Sequence, residues 1–189
     1  MTGTARAARR RTLPAIVAAA VLWLCPAAAG RAQEVSIPTL KAAFLTNFVK
    51  FAVWPEGTVP AGRAFTFCVA GDKAVFDELR SQHQRGPDAV SVVYVAPDVP
   101  LNACQLLYLG GAEPREFRRV IDSLHNGPVF TASDVRGFAE AGGIVELRQE
   151  NGKMRFAINP AAAQRARISL SAKLLSLATL VKDAPDGGR

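Results

Sequence analysis

The chain has 189 residues, 49% of them hydrophobic and 21% charged, with a formal net charge of +7. This length allows one domain with short extensions. Five of the 23 basic residues lie in residues 1–32, which contain no acidic residue. Residues 33–189 therefore contain 18 basic and 16 acidic residues. Because the rest of the chain is nearly neutral, bulk electrostatic attraction to nucleic acid is excluded as its function.

The first 32 residues have the order of a secretory signal peptide. Arginines at residues 6–11 precede an apolar stretch at residues 13–24, and small residues with an Ala-x-Ala pattern follow. The apolar stretch is too short to span a bilayer, although an uncleaved membrane anchor is the alternative. We expect cleavage after Ala29 or Ala32, and export without stable membrane insertion.

Removal of such a leader leaves two cysteines, Cys68 and Cys104, each at the edge of an apolar run. In an oxidising compartment two thiols favour one disulfide, and two buried unlinked thiols are the alternative. No Cys or His spacing fits a zinc site, so neither a metal nor a cofactor is expected. His83 and His125 each end a predicted helix, where a solvated side chain is the ordinary interpretation.

Helices and strands alternate along the rest of the chain. The first helix is predicted to open at Ser36 and to bury an apolar stripe that ends at Phe51. A helix capped by Asp72 is expected after the first strand. The other elements are expected at residues 65–70 (strand), 90–95 (buried strand), 104–109 (strand), 113–125 (helix) and 129–131 (strand).

A hairpin is predicted at residues 144–158, because its Asn151-Gly152 turn suits positive φ at both positions. This register would set Arg148 opposite Arg155, and like charges in that position are mildly destabilising unless something neutralises them. With two glutamates nearby, the pair is either an ordinary solvated face or a patch that receives an anion or an acidic partner surface.

The last predicted elements are a helix that starts at Asn159-Pro160 and a helix at residues 171–182. Residues 183–189 are expected to form a disordered tail. The pattern therefore predicts a single three-layer α/β domain over residues 36–182. Its sheet would be mainly parallel (Rossmann-like) and flanked by helices, with an antiparallel C-terminal hairpin.

Catalytic motifs are missing from the sequence. It has no Gly-x-Gly-x-x-Gly after the first strand, no phosphate-binding loop of the Walker type and no Gly-x-Ser-x-Gly. Asp72 and Ser133-Asp134 follow strands, at the end of a parallel sheet where α/β proteins bind ligands. They are candidate ligand residues, although a helix N-cap is the ordinary interpretation of each.

Five segments, in order, resemble one family, the YfiR-type periplasmic regulators. They are residues 41–55 (KAAFLTNFVKFAVWP), 67–72 (FCVAGD), 104–109 (CQLLYL), 131–143 (TASDVRGFAEAGG), and 155–159 with 171–175 (RFAIN and SAKLL). The resemblance extends over about residues 40–181. Thr46, Gln105 and Ala172 depart from the pattern, which has Tyr, His and Ser there.

The resemblance implies a non-enzymatic periplasmic protein that binds the periplasmic part of an inner-membrane diguanylate cyclase and represses it. It also implies a homodimer and sensitivity to oxidation. Cys68 and Cys104 would then form a structural disulfide, a redox switch or both. One alternative is a small-molecule-binding sensor with a pocket near Asp72 and Ser133-Asp134, feeding a receptor or kinase. Another is an exported hydrolase built on Ser133, Asp134 and a histidine.

Overall fold

The computed structural model describes residues 35–59, 61–84, 90–96, 101–124 and 126–184. The predicted signal peptide, His125 and residues 185–189 lie outside the described residues. The helices are α1 Ile37–Val49, α2 Lys73–His83, α3 Pro114–Ser123, α4 Pro160–Arg165 and α5 Ala172–Ser176. The strands are β1 Ala52–Val53, β2 Phe65–Ala70, β3 Val90–Tyr94, β4 Leu106–Leu109, β5 Phe130–Ser133, β6 Val145–Glu150, β7 Lys153–Ile158, β8 Ser169–Leu170 and β9 Thr179–Leu180.

The main sheet has the strand order β3-β2-β4-β5-β6-β7-β9 among the described residues. The first five strands in this order, from β3 to β6, run parallel to one another, whereas β7 is antiparallel to β6, and β9 is parallel to β7. β1 and β8 form a separate small antiparallel sheet. The predicted α/β class, with a mainly parallel sheet flanked by helices, is confirmed.

Both faces of the main sheet are covered. Phe67 and Tyr108 belong to the apolar cluster that α1 and α2 complete on one face. Cys68 and Leu107, their neighbours along β2 and β4, belong to the cluster that α3 completes on the other face. Successive side chains of a strand point to opposite faces, so a sheet covered twice needs the continuous apolar strands seen in the sequence.

Side-chain caps fix where the helices begin. The side chains of Ser36, Asp72, Asn159 and Ser171 each accept a hydrogen bond from the backbone N–H three residues later. These bonds satisfy donors that have no partner within the helix. The predicted helix starts at Ser36, Asp72 and Asn159 are therefore confirmed.

The hairpin has the predicted register. Arg148 pairs with Arg155, and the turn residues Asn151 and Gly152 have φ of 50° and 72°. Positive φ at both positions matches the twist of the two strands, which explains why this local signal was sufficient.

One strand prediction and one helix prediction were wrong in detail. Residues 90–95 were expected to form a buried strand, but β3 lies at the sheet edge, where Val93 and Tyr94 are 40% and 45% exposed. The last predicted helix, residues 171–182, ends at Ser176. Thr179 then pairs with Ala157, so tertiary pairing with β7 overrides the helical pattern.

The chain beyond residue 182 also differs from the predicted tail. Both guanidinium Nη atoms of Arg165 donate to the carboxylate of Asp183, at 2.7 and 3.0 Å. Asn159 Nδ2 donates to Asp183 Oδ1 at 2.7 Å, and Ala184 N donates to Glu140 O at 2.7 Å. The first two residues of the predicted disordered tail are thus held against the domain.

Candidate functional site

The carboxyl ends of β2, β4 and β5 lie side by side in the sheet. The chain leaves β2 to form β3 on one side and later returns to form β4 on the other, so the strand order reverses between β2 and β4. In doubly wound α/β folds ligands bind in the crevice at such a reversal. This edge is the natural place to look for a site.

An ion-pair cluster occupies this edge. Lys41 Nζ, on α1, donates to Asp72 Oδ2 at 3.1 Å and to Asp134 Oδ2 at 2.6 Å. Asp72 Oδ1 accepts from Val75 N at 3.1 Å, and Asp134 Oδ1 accepts from Gly111 N at 3.3 Å. One ammonium between two carboxylates leaves the cluster with a net negative charge.

The electrostatics keep Lys41 charged and the nearby Tyr108 protonated. Burial alone would lower the pKa of Lys41, but the hydrogen bonds and charges of Asp134 and Asp72 raise it above its usual value. Burial raises the pKa of Tyr108, and the same two carboxylates raise it further. Tyr108 is fully buried, and a hydrogen bond between its hydroxyl and Asp134 contributes to the raised pKa.

Two glycines allow the loops after β2 and β4 to touch. Gly71 has φ of 77°, and a Cβ on it would overlap the carbonyl oxygen of Gly110. A Cβ on Gly110 would in turn overlap Asp72 Cβ. Only glycine fits such an approach of two backbones. Next to this contact lies a cavity of about 130 Å³, lined by Ala70, Gly71, Leu109, Gly110, Gly111, Ala112, Glu116, Phe117 and Val120.

Of the three candidate ligand residues, Asp72 and Asp134 share the Lys41 ammonium, and the Ser133 side chain takes no part in this cluster. Ser133 is buried in β5, where its hydroxyl donates to Leu109 O at 2.6 Å and accepts from Val135 N at 3.1 Å. Residues 134–142 form bends and turns and no helix. The interpretation of Ser133-Asp134 as a helix N-cap was therefore wrong. Sequence analysis missed Lys41, whose only signal was its place in the segment that resembles the family's opening motif.

The two hairpin arginines have different surroundings. Arg148 Nε donates to Glu146 Oε1 at 2.7 Å, and Arg148 Nη2 donates to Glu140 Oε1 at 2.9 Å. Glu146 is 1% exposed, and the hydrogen bond to it is the main reason that the pKa of Arg148 is raised. Arg155, in contrast, is exposed and makes no salt bridge within the described part of the chain.

Glu146 also holds the segment that follows β5. Its Oε2 accepts from Gly137 N at 2.9 Å and from Ala139 N at 3.4 Å. Burial would raise the pKa of Glu140, but hydrogen bonds, among them the one from Arg148, lower it overall. The charge of Arg148 is therefore neutralised inside the protein, and the predicted acidic-partner patch reduces to Arg155.

Cys68 and Cys104 form a disulfide between β2 and the residues before β4. Their Cα atoms are 5.7 Å apart, and the two residues are 2% and 3% exposed. Of the two interpretations left open by the sequence, the structure has the disulfide. The bond lies in the cluster covered by α3.

Two residues that depart from the family pattern make structural contacts. Gln105 Oε1 accepts from Thr66 N at 2.8 Å, and its Nε2 donates to Thr58 O at 3.2 Å. Thr46 Oγ1 lies 3.2 Å from His83 Nε2, and the His83 ring stacks on Phe67. His83 is thus a half-buried packing residue, and its expected role as a solvated helix end was wrong.

The described residues contain neither a group of metal-ligating side chains nor a helix that could span a membrane. Across residues 35–184, apart from their undescribed gaps, no three His, Cys, Asp or Glu side chains are grouped to hold a metal ion. Nor does any helix in the described ranges have the length and apolarity to cross a membrane.

Comparison with known proteins decides the family. The sequence matches the YfiR/HmsC-like family (DUF4154) over residues 38–179, most of the chain. This protein belongs to the YfiR/HmsC-like family. That family is associated with periplasmic regulation of diguanylate cyclases, and it is a regulatory family, not a catalytic one. No curated protein matches the sequence.

Solved structures share the fold at low identity. A conserved domain protein from Vibrio cholerae O1 biovar El Tor matches with a TM-score of 0.54 and 11% identity over 78% of this chain. An ABC domain from Streptococcus pneumonia, in complex with L-Trp, matches with a TM-score of 0.51 and 12% identity over 74% of this chain. The matched part spans 60% of each of those chains. At such identities the likeness shows the α/β fold alone.

Proposed function

We propose that this protein binds the periplasmic part of an inner-membrane diguanylate cyclase and represses it, which lowers cyclic-di-GMP and disfavours biofilm growth. The family match over residues 38–179 carries this proposal. A repressor of this kind acts by binding one state of its partner more tightly than another. It therefore needs a recognition surface and no reaction of its own.

The proposal places the protein in the periplasm, delivered by a signal peptide over residues 1–32 with cleavage after Ala29 or Ala32. The buried disulfide between Cys68 and Cys104 supports this location, because such bonds persist in oxidising compartments. We assign the disulfide a structural role, since both cysteines are almost completely buried.

The β9 edge of the main sheet is the surface we propose for the cyclase. Leu177 and Leu180 flank this edge and are 66% and 56% exposed. Ala157 pairs with Thr179, and Arg155 lies two residues before it on the same face of β7. Exposed leucines at this edge, together with an exposed arginine on the neighbouring strand β7, suit an apolar partner surface with an acidic group.

Deletion and complementation test the function. We expect deletion of the gene to raise intracellular cyclic-di-GMP, and the wild-type gene to restore the original level. The double variant Leu177→Asp/Leu180→Asp should fold but fail to restore it. Val93→Asp/Tyr94→Asp, which places two aspartates on the opposite sheet edge, is the matched control and should restore it.

A pull-down from membranes tests binding directly. Tagged wild-type protein and Val93→Asp/Tyr94→Asp should recover the cyclase, Arg155→Glu should recover less, and the double leucine variant should recover none. Unchanged cyclic-di-GMP in the deletion strain would contradict the function. Equal recovery of the cyclase by every variant would contradict the β9 surface only.

We also propose that the protein is a homodimer, as the family resemblance implies. Sedimentation equilibrium of the processed protein should give twice the mass of one chain at micromolar concentration. A single-chain mass across that range would contradict the dimer without affecting the proposed repression.

A further inference from the structure

Helix α3 covers the face of the main sheet opposite to α1 and α2, and its two sides differ sharply. Phe117 and Val120 point into the apolar cluster on this face and are 3% and 5% exposed. The outer side of the helix carries Arg115, Arg118 and Arg119, and all three are exposed. None of them forms an ion pair within the described part of the chain. We call these three residues the arginine face of α3.

The acidic residues of this helix do not neutralise the arginine face. Glu116 Oε2 accepts from Glu113 N at 3.2 Å, in the capping box at the start of the helix. Asp122 is exposed and lies four residues after Arg118 and three after Arg119, yet no salt bridge joins it to either one among the described residues. The outer side of α3 therefore presents three guanidinium groups and one carboxylate to solvent.

The arginines are placed against the electrostatics of the helix itself. Arg115 is the second residue of α3, where the helix dipole favours a negative side chain. Arg115 and Arg119 are four residues apart, a spacing at which like charges destabilise a helix. Neither helix stability nor an internal counter-ion accounts for this pattern. Departures from local preference of this kind are expected at functional surfaces, and here the complementary charge is an external anion.

A fourth arginine extends the positive charge on this side of the sheet. Residues 134–142 pack against α3, because Phe138 contacts Phe117 edge to face with ring centroids 5.5 Å apart. Arg136, two residues before Phe138, is exposed and forms no ion pair with any described residue. A protruding helix does not enclose a small anion. A broad surface with many phosphate groups, in contrast, can contact several arginines at once.

We propose that the arginine face of α3, together with Arg136, binds a lipid bilayer that contains anionic phospholipids. Guanidinium groups pair with phosphate through two parallel N–H donors, and each basic residue near an anionic membrane strengthens the attachment. Since α3 covers one face of the sheet, docking through α3 directs the sheet edges, β9 among them, along the membrane. The β9 edge then faces a neighbour anchored in the same bilayer. In this respect the inference rests on the proposed function.

Vesicle sedimentation tests the proposal with the processed protein. Phosphatidylcholine vesicles in which about a third of the lipid is phosphatidylglycerol should bind the protein, and pure phosphatidylcholine vesicles should not. Raising the salt concentration from about 0.05 M to about 0.5 M should remove the binding, because salt screens exposed charges. No variant is needed for this comparison, so it does not depend on mutant folding.

A triple variant then locates the surface. Arg115→Gln/Arg118→Gln/Arg119→Gln should weaken binding to the anionic vesicles by about tenfold or more. Glutamine has nearly the helix propensity of arginine, so urea denaturation of this variant should show wild-type stability or better.

The matched control removes the same charge from the other side of the sheet. Lys50, Arg167 and Lys173 are exposed and lie in or beside α1, α4 and α5, which pack on that side. Lys50→Gln/Arg167→Gln/Lys173→Gln should bind the anionic vesicles within about twofold of wild type, because these residues lie away from the docked face.

Three results would overturn the proposal. The first is an absence of preference for the anionic vesicles. The second is an equal loss of binding in the two triple variants, which would assign the attraction to net charge. The third is an α3 variant that binds vesicles like wild type but recovers less cyclase from membranes, which would assign the face to an acidic protein surface. Repression itself is measured by cyclic-di-GMP in the deletion strain, so failure of the lipid proposal and failure of the proposed function are distinguishable.

Discussion

Lys41 Nζ lies 2.6 Å from Asp134 Oδ2, an ion pair that joins the first helix to the end of β5 across 93 residues of sequence. The same nitrogen reaches Asp72, and the Lys41 side chain is only 13% exposed. Replacing Lys41 by Met would leave two half-buried carboxylates without their shared cation. We expect Lys41→Met to lower the free energy of unfolding by about 2 kcal/mol, measured by urea denaturation.

A second substitution separates lost charge pairing from lost packing. In Lys41→Met/Asp134→Asn one of the two carboxylates is gone, so the double variant should recover part of the lost stability. Lys73→Met is the control, because Lys73 pairs with Asp77 on an exposed helix surface and should change stability by less than about 0.5 kcal/mol. Equal losses for Lys41→Met and Lys73→Met would contradict the importance of the cluster.

Arg148 and Arg155 offer a matched pair of arginines opposite each other in one hairpin. Arg148→Met leaves Glu146 buried without its cation and should cost about 3 kcal/mol. Arg155→Met should change the free energy of unfolding by no more than about 0.5 kcal/mol, because Arg155 is exposed. Urea denaturation of both variants measures the two changes in the free energy of unfolding. A larger change for Arg155→Met than for Arg148→Met would contradict the assignment of Arg148 as the buried ion-pair partner.

The disulfide should contribute strongly to stability. Cys68 and Cys104 are 36 residues apart, and closing a loop of that length stabilises a fold by about 4 kcal/mol in the chain-entropy estimate. Cys68→Ser/Cys104→Ser should therefore unfold at markedly lower urea concentration than the oxidised protein. Reduced wild-type protein is the control and should resemble the double variant. If cyclase repression survives in the double variant at permissive temperature, the disulfide is not a switch.

Acidification should release the end of the chain before the domain unfolds. The hydrogen bonds from Arg165 hold the pKa of Asp183 below its usual value of 3.8, although burial opposes them. A carboxyl whose pKa is lower in the folded state stabilises fully above its usual pKa, and the contribution is lost as the pH falls through the folded value. Because both side chains are about 40% exposed, the effect is small and sensitive to salt.

The Ala184 amide reports on this release. It donates to Glu140 O, so its chemical shift should move toward that of an unstructured chain as the pH falls below 3.8. Asp183→Asn should show the released shift already at neutral pH. A wild-type shift in that variant would argue against the pairing of Arg165 with Asp183 as the anchor.

Local signals made much of the fold predictable. Asp72 and Asn159 cap their helices through bonds that span three residues, and the Asn151-Gly152 turn sets the hairpin register by itself. Such features depend only on residues that lie within a few positions of one another in the sequence. They can therefore be recognised without knowing what packs against them.

The candidate site depended on contacts that no local pattern encodes. The partners of Lys41 lie 31 and 93 residues away, and Arg148 pairs with Glu140 from a segment of turns. An apolar run such as β3 looks the same at a sheet edge as in the centre, since both need β-branched residues. These relationships follow from topology, which a single sequence does not determine.

The two-residue strand β9 covers the edge of β7. It pairs with Ala157 and Ile158, both of which are fully buried. In a chain cut before residue 179, β7 would present its backbone donors and acceptors and these apolar side chains to other molecules. Unprotected strands of this kind template intermolecular pairing, so such a fragment should aggregate where the intact chain does not.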